Sequence, residues 1–353
     1  MNVNFKTIFY EEAIDSKEEY KKAAEETLQK FPEAKVIKVK SHNRIKELYE
    51  MDPKQWIKAK KDYLVLGIKK DLTHQLNTKS SDYIAASSTT GCIASCQYCY
   101  VARNSGSSNV AKAYVNINEI INSIDKHQKS LGRKTTPNQQ DPSLWVYDIG
   151  CNNDNSLDAL YTNNPIKVIE AFSKMENAKA SLATKFVNEE AWLKVDPKGK
   201  TRIRYSLMPQ EVSTFVDIRT SKISDRIKSM NNLVEAGYEV HANFSPVIVY
   251  GGDQWTKDWK KLWEEMNDTL TQKVKDQLKC EVIFLTHSQK LHDLNMEWNP
   301  KGEEFLVGQI YQHEKYNKPD VLVYNYEDKK RLVDRFKNGI NKYIPYCNIR
   351  YIF

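Results

Sequence analysis

Long apolar runs are missing from this chain. No stretch of about 18 or more apolar residues occurs, so no membrane-spanning helix and no membrane association is expected. The opening Met1-Asn2-Val3-Asn4 is not a basic start leading into an apolar stretch, so no secretory leader is expected. Cysteine is sparse, with six in 353 residues. That is too few for a disulfide scaffold and suits a reducing compartment, so the expected location is cytoplasmic. Internal repeats and low-complexity segments are absent, which excludes a solenoid and a biased, disordered chain. Gly251-Gly252 is followed by no Lys-Ser/Thr pair, so it reads as a turn and not as a phosphate loop. What is present is ordinary for a globular enzyme: 40% hydrophobic and 28% charged residues, enough to bury one large core or two smaller ones. The net charge of +7 is compatible with a polyanionic partner without establishing one.

Three of the cysteines crowd into one segment, Gly91-Cys92-Ile93-Ala94-Ser95-Cys96-Gln97-Tyr98-Cys99-Tyr100. The spacing is C-x3-C-x2-C. Three thiolates there can hold three irons of a [4Fe–4S] cluster, whose usual complement is four, and leave the fourth iron for a small molecule. This spacing resembles the radical S-adenosylmethionine (SAM) superfamily. Zinc is the competing reading, since it also takes closely spaced cysteines. A structural zinc site wants four ligands, and no second C-x2-C or H-x3-H is present. His127 or Cys151 would have to supply the fourth, and neither has a motif around it.

A strand-then-helix rhythm organises the rest. Residues 17–30 read as a helix stopped by Pro32, residues 35–40 as a half-buried strand and residues 63–68 as a buried one. From the cysteine loop onward, strands are expected at 83–87, 144–149, 180–184, 202–207, 240–250 (interrupted by Pro246) and 281–285. Helices are expected at 115–129, 165–175, 189–195, 223–236 and 255–270. Six β/α units of this kind imply a parallel sheet closed part-way into a barrel. The expected fold is α/β: a partial (β/α)6 barrel at 81–290, a small α/β region at 1–80 and an α/β extension at 291–353 packed on the barrel. Chemistry in such barrels gathers at the carboxyl ends of the strands, where the cysteine loop, Cys151, Lys185 and Ser206 all fall. Trp255, Trp259, Trp263, Met266 and Leu270 recur at helical spacing and read as a buried stripe.

Individual residues carry two readings each. Cys151 follows the strand at 144–149. A lone cysteine is ordinarily a small buried hydrophobe, but the neighbours here are polar. The weak S–H bond would make it a hydrogen-atom donor at a barrel mouth. Tyr98 and Tyr100 flank Cys99, either as packing under the loop or as phenols that pass a hydrogen atom. Lys185 is either an exposed strand-end lysine or a cation for a carboxylate. His241, His287, Cys280 and Cys347 read as structural. Lys198, Lys200, Arg202 and Arg204 suggest a basic surface near the barrel.

Several segments together resemble the spore photoproduct lyase family over most of the chain. They are Ser41-His42-Asn43, Leu64 to Lys70, Gly91 to Tyr100, Ala113 to Ile120, Gly150-Cys151-Asn152-Asn153-Asp154, Ala183-Thr184-Lys185-Phe186, Lys200 to Ser206, Asp225-Arg226-Ile227 and Ala236-Gly237-Tyr238. The resemblance implies a radical SAM barrel and a DNA repair lyase that reverses a 5-thyminyl-5,6-dihydrothymine dimer through a 5′-deoxyadenosyl radical. It implies Cys92, Cys96 and Cys99 as ligands of a [4Fe–4S] cluster. Asn153, standing where the family typically has serine, would contact SAM with Lys185 and Ser206. Cys151 would be the hydrogen-atom donor, assisted by Tyr98 and Tyr100. Partners implied are damaged DNA and an external one-electron reductant such as flavodoxin or ferredoxin. Family members carry a basic, aromatic hairpin near the C-terminus, and the comparable 305–319 stretch here has no arginine. A different nucleic-acid lesion or a small-molecule substrate therefore stays open as an alternative.

Overall fold

The structure, a computed structural model, describes residues 3–43, 45–99, 101, 109–307, 312–315 and 318–353. The chain divides into two compact units. The first comprises Met1–Ile93, Asn104–Ile203 and Ala236–Glu239, and the second Ala94–Arg103, Arg204–Glu235 and Val240–Phe353.

In the first unit a five-stranded sheet runs in the order Lys35–Val39, Thr7–Glu11, Tyr63–Gly67, Ala111–Tyr114 and Thr89–Thr90. Thr7–Glu11 pairs in parallel on both sides. Ile8, Phe9 and Tyr10 are buried, as expected for a strand covered on both faces. Lys35–Val39 lies at the edge and keeps its lysines out, which discourages pairing with another chain. A second run of strands in this unit goes Gln75–Leu76, Tyr83–Ile84, Trp145–Asp148, Ala178–Thr184 and then the start of Thr201–Ser206. Trp145–Asp148 and Ala178–Thr184 are parallel, with Asp148 opposite Ser181. Their carboxyl ends therefore deliver the 150–153 turn and Lys185 to one edge.

The second unit continues from the end of Thr201–Ser206 through Glu239–Val247 and Lys279–Phe284 to Asn348–Ile352. The last three are mutually parallel. Glu239–Val247 was expected to break at Pro246, but it runs through that residue. The register against Lys279–Phe284 shifts between Phe244 and Val247, and an irregularity of this kind spares proline a ladder bond it cannot donate. A three-stranded sheet is ordered His287–Ser288, Lys318–Tyr324, Gln312–Lys315. Of the arginine-poor 305–319 stretch, residues 308–311 and 316–317 lie outside the described residues.

The basic surface expected around strand Thr201–Ser206 is not there. Arg202 is 1% exposed and Arg204 5%. In the first unit, Arg202 Nε donates to Glu239 Oε1 (3.0 Å) and Nη2 to the Gln140 carbonyl (2.6 Å). Lys200 Nζ turns to the carbonyls of Met175 and Glu176. In the second unit, Arg204 Nη1 donates to Glu281 Oε2 (3.0 Å), and Arg350 takes the other oxygen of that carboxylate. Of the four cations, only Lys198 is exposed. A central strand has both faces covered, so its charges are internal and paired.

The tryptophan stripe is buried as expected. It lies on helix Gln254–Thr269 in the second unit. Trp259 and Trp263 meet Phe336 of helix Tyr326–Tyr343 edge-on, with ring centroids 4.8 and 5.0 Å apart. A Cβ at Gly339 would stand 2.2 Å from the Trp263 ring, so glycine lets the helices approach. Among the described residues no helix is long and apolar enough to cross a membrane. Trp259→Ala is expected to cost about 3–5 kcal/mol of stability, read as a shift in the denaturation midpoint. A loss under about 1 kcal/mol would mean the stripe is not the core of this unit.

Candidate active site

In the first unit the cysteine motif begins at a glycine that no other residue could replace. Gly91 has φ +77°, and a Cβ there would lie 2.1 Å from the Val110 carbonyl oxygen. Its amide donates to the Asn152 carbonyl (2.9 Å), and the Cys92 amide donates to the Asn109 carbonyl (3.3 Å). The first bond joins the start of the motif to the Cys151–Asn153 turn. Cys92, Cys151, Asn153 and Lys185 are all half-buried, and neither Cys92 nor Cys151 is in a disulfide.

Two buried carboxylates organise that turn. Asp154 Oδ1 accepts from the amides of Ser156 (3.1 Å) and Leu157 (3.2 Å) and from Thr184 Oγ1 (2.7 Å). Its Oδ2 accepts from the Lys185 amide (2.7 Å). One side chain thus caps helix Asn155–Asp158 and fastens the end of strand Ala178–Thr184 beside it. Asp158 accepts from Thr89 Oγ1, Asn153 Nδ2 and the Tyr161 hydroxyl. Burial pushes both carboxyls up, that of Asp158 to about 7, against the pull of these hydrogen bonds.

The second unit holds the rest of the motif. Ser95 and Gln97 donate their amides to the carbonyls of Ile218 (3.1 Å) and Val216 (2.9 Å), and the Cys99 amide donates to the Cys96 carbonyl (3.2 Å). The Tyr98 hydroxyl donates to Asp217. Loss of water around the phenol, and then that carboxylate, push it well above its ordinary range, so it stays protonated. Asp217 is paired with Arg226, and both side chains are fully buried. Arg226 Nη1 also donates to the Ser206 carbonyl (2.6 Å), and Asn243 Nδ2 lies 3.4 Å from Ser206 Oγ. Tyr100 lies outside the described residues.

The donor set fits an iron–sulfur cluster and SAM. Cys96 and Cys99, like Cys92, are half-buried and form no disulfide. Asn153 Oδ1 in the first unit and Asn243 Oδ1 in the second are buried with no hydrogen-bond partner among the described residues, as polar groups awaiting a ligand would be. In the first unit Gly150 lies close beside Asn153, since a Cβ there would stand 2.2 Å from Asn155 Nδ2 and 3.4 Å from Asn153 Oδ1.

Sequence reasoning passed over Asp158, Asp217 and Asn243, and quoted Asp154 and Arg226 without a role. Arg226 did leave a signal. It is a charge between Ile223, Ile227 and Met230 on the buried face of its helix. Asp217 left none.

Asp158 generates a pH prediction. Its folded pKa of about 7 lies above the ordinary aspartate value of 3.8. The native state therefore holds a proton that the unfolded chain releases. The stability contribution is full below the unfolded value and is lost as pH rises through about 7. From about pH 5 to about pH 8 the wild-type chain should lose stability relative to Asp158→Asn, which cannot ionise. Parallel denaturation midpoints for the two proteins across that range would contradict the assignment.

Comparison with known proteins identifies the family and the fold. The family model described as spore photoproduct lyase matches residues 7–353. The spore photoproduct lyase of Bacillus subtilis is 25% identical over 320 residues, covering 88% of each chain. That of Clostridium acetobutylicum is 27% identical over 324 residues, covering 90% of each. Among solved structures, a spore photoproduct lyase mutant with bound AdoMet and dinucleoside spore photoproduct matches at TM-score 0.86 and 21% identity, covering 100% of both chains. A spore photoproduct lyase complexed with the dinucleoside spore photoproduct matches at TM-score 0.85 and 22% identity, again over 100% of both. This likeness shows the fold, the α/β partial barrel of radical SAM proteins that the strand rhythm implied. With its cysteine motif, its Cys151 turn and a family match from residue 7 to its end, the chain belongs to the spore photoproduct lyase family.

Proposed function

We propose that this chain is a radical SAM lyase that reverses a 5-thyminyl-5,6-dihydrothymine dimer in DNA. The observation that carries the reading is the bond from the Gly91 amide to the Asn152 carbonyl. It fixes the start of the cluster motif against the turn that bears Cys151, in a chain of this family. Cys92, Cys96 and Cys99 would hold a [4Fe–4S] cluster, and Asn153, Lys185 and Ser206 would contact SAM. Together the bound cluster and SAM supply hydrogen-atom abstraction from the lesion, given an electron from an external reductant of the flavodoxin or ferredoxin kind.

The chain's own residues bind, orient and quench. Asn153 Oδ1 and Asn243 Oδ1 offer acceptors that nothing in the described protein uses. Lys185 stands at a strand end whose backbone Asp154 holds in place, and its cation suits the SAM carboxylate. The Cys151 thiol gives a hydrogen atom to the product radical, which restores an intact base and leaves a thiyl radical on sulfur. Tyr98 holds its phenolic hydrogen against Asp217 and, with Tyr100, would return a hydrogen atom to the cofactor side. The protein orients and shields while the cofactor carries the difficult bond-breaking. The lesion has to leave the base stack to be reached, which a damaged step permits more cheaply than an intact one. Because Arg202 and Arg204 are paired internally, the phosphate contacts that nucleic-acid affinity needs fall to other cations.

Two outcomes test this reading. Anaerobically reconstituted protein should bind about four irons and release 5′-deoxyadenosine on reduction with dithionite. Stoichiometric zinc on the three cysteines in place of iron would contradict it. Cys151→Ala should still cleave SAM and consume the lesion, but mass spectrometry should find trapped or misquenched adducts in place of repaired base. A wild-type product distribution from that variant would reduce Cys151 to a packing residue.

A further inference from the structure

Three side chains of the second unit, none of them in the cysteine motif itself, meet at one point. His287 lies in strand His287–Ser288, His292 in the first turn of helix Gln289–Trp298, and Glu303 in helix Pro300–Leu306. Their ligand atoms all lie within 4.8 Å of one another. Both imidazoles turn a ring nitrogen to the same carboxylate oxygen: His287 Nε2 is 3.0 Å and His292 Nδ1 2.8 Å from Glu303 Oε2. The sequence suggested only a packing role for His287.

We propose that His287, His292 and Glu303 form a second metal site, separate from the cysteine motif, for one divalent cation of the zinc class. Imidazole nitrogens and a carboxylate oxygen are the donors such a cation takes, at about 2.0–2.2 Å. In a tetrahedral set those bond lengths place ligand atoms about 3.3 Å apart. The two edges to Glu303 therefore need to open by a few tenths of an ångström, and the His287–His292 edge, no longer than 4.8 Å, has to close toward the same length by rotation of the His292 side chain.

Charge supports the same assignment. The Glu303 side chain is 3% exposed. Its partners among the described residues are His287, His292 and Asn295, with no lysine or arginine. A buried carboxylate needs a compensating charge, and a dication supplies it directly. A histidine–carboxylate ion pair is the competing solution, and zinc retention separates the two. The site has one open side. His292 is 25% exposed while His287 is fully buried, so a fourth position on the cation is left to water, as in three-ligand zinc sites.

Asn295 gives the site a structural purpose. Its Nδ2 donates to Glu303 Oε1 and to the Gln97 carbonyl (3.0 Å), orienting the carboxylate as the outer partners of metal ligands do. Gln97 sits inside the cysteine motif. Its Nε2 donates to the Asn299 carbonyl (2.6 Å), and a Cβ at Gly302 would stand 1.4 Å from its Oε1. A cation at Glu303 would brace the two helices on which this part of the motif rests.

The test uses holoenzyme with its iron fully loaded, so that the cysteines are occupied. Wild type, His292→Ala and Glu303→Gln are equilibrated with zinc, exchanged into metal-free buffer and measured for zinc and iron by mass spectrometry. Wild type is expected to retain about one zinc per chain, while both variants fall to background with iron unchanged. Zinc-edge X-ray absorption of the wild type should show nitrogen and oxygen scatterers at about 2.0–2.1 Å and no sulfur at about 2.3 Å. Absence of zinc from the wild type overturns the proposal and leaves an imidazolium–carboxylate triad. Equal zinc in all three proteins, or a sulfur shell around it, overturns it too. If the variants fail to fold, the wild-type zinc content and absorption spectrum decide alone.

Discussion

The second unit depends on one buried ion pair, Arg226 with Asp217. Isolated, either charge would be strongly disfavoured in a dry interior, and together they persist because every remaining valence is filled. Arg226 reaches the carbonyls of Ser206 and Ser221 (2.6 and 3.0 Å) and Thr220 Oγ1 (2.7 Å). Asp217 accepts from Tyr98. The residues on either side of Asp217 present their carbonyls to the Gln97 and Ser95 amides. A three-residue strap thus holds four consecutive residues of the cysteine motif, and one guanidinium fixes that strap to the strand end bearing Ser206.

The first unit solves the same problem with carboxylates. Asp154 links helix Asn155–Asp158 to the end of strand Ala178–Thr184, and Asp158 gathers Thr89, Asn153 and Tyr161. Function comes from what these networks leave over. Once Asn153 Nδ2 is committed to Thr89 and Asp158, its Oδ1 has no hydrogen-bond partner among the described residues. Backbone bonds tie Cys92 and the Cys151 turn, and neither thiol is spent in a disulfide. Rigid surroundings with a few unspent polar groups are what a site needs if it is to orient a reactive cofactor.

How much of this was legible depended on how local each signal was. Cys92, Cys96 and Cys99 announce themselves by spacing alone. The strands at Trp145–Asp148, Ala178–Thr184 and Thr201–Ser206 were readable because each is a short apolar or alternating run between breakers. Helix Tyr326–Tyr343 was missed because Leu332, Phe336 and Ile340 are its only buried residues among many charges. Thr7–Glu11 was missed because five residues running into an acidic segment leave little period to read. The basic cluster at 198–204 was misread for a related reason. Composition shows charge, but only the sheet shows that Glu239 waits on the next strand and Glu281 on the one beyond it. Arg226 and Asp217 are nine residues apart, and their pairing is a property of the fold.

The central claim is that this scaffold directs radical chemistry at a thymine dimer. The most direct measurement is anaerobic incubation of the reconstituted wild-type protein with SAM, a reductant and DNA carrying the 5-thyminyl-5,6-dihydrothymine lesion, with the nucleosides read by mass spectrometry. The account predicts that the dimer disappears and two unmodified thymines appear in its place. Release of 5′-deoxyadenosine while the dimer remains intact would contradict it, leaving a radical SAM enzyme directed at another substrate.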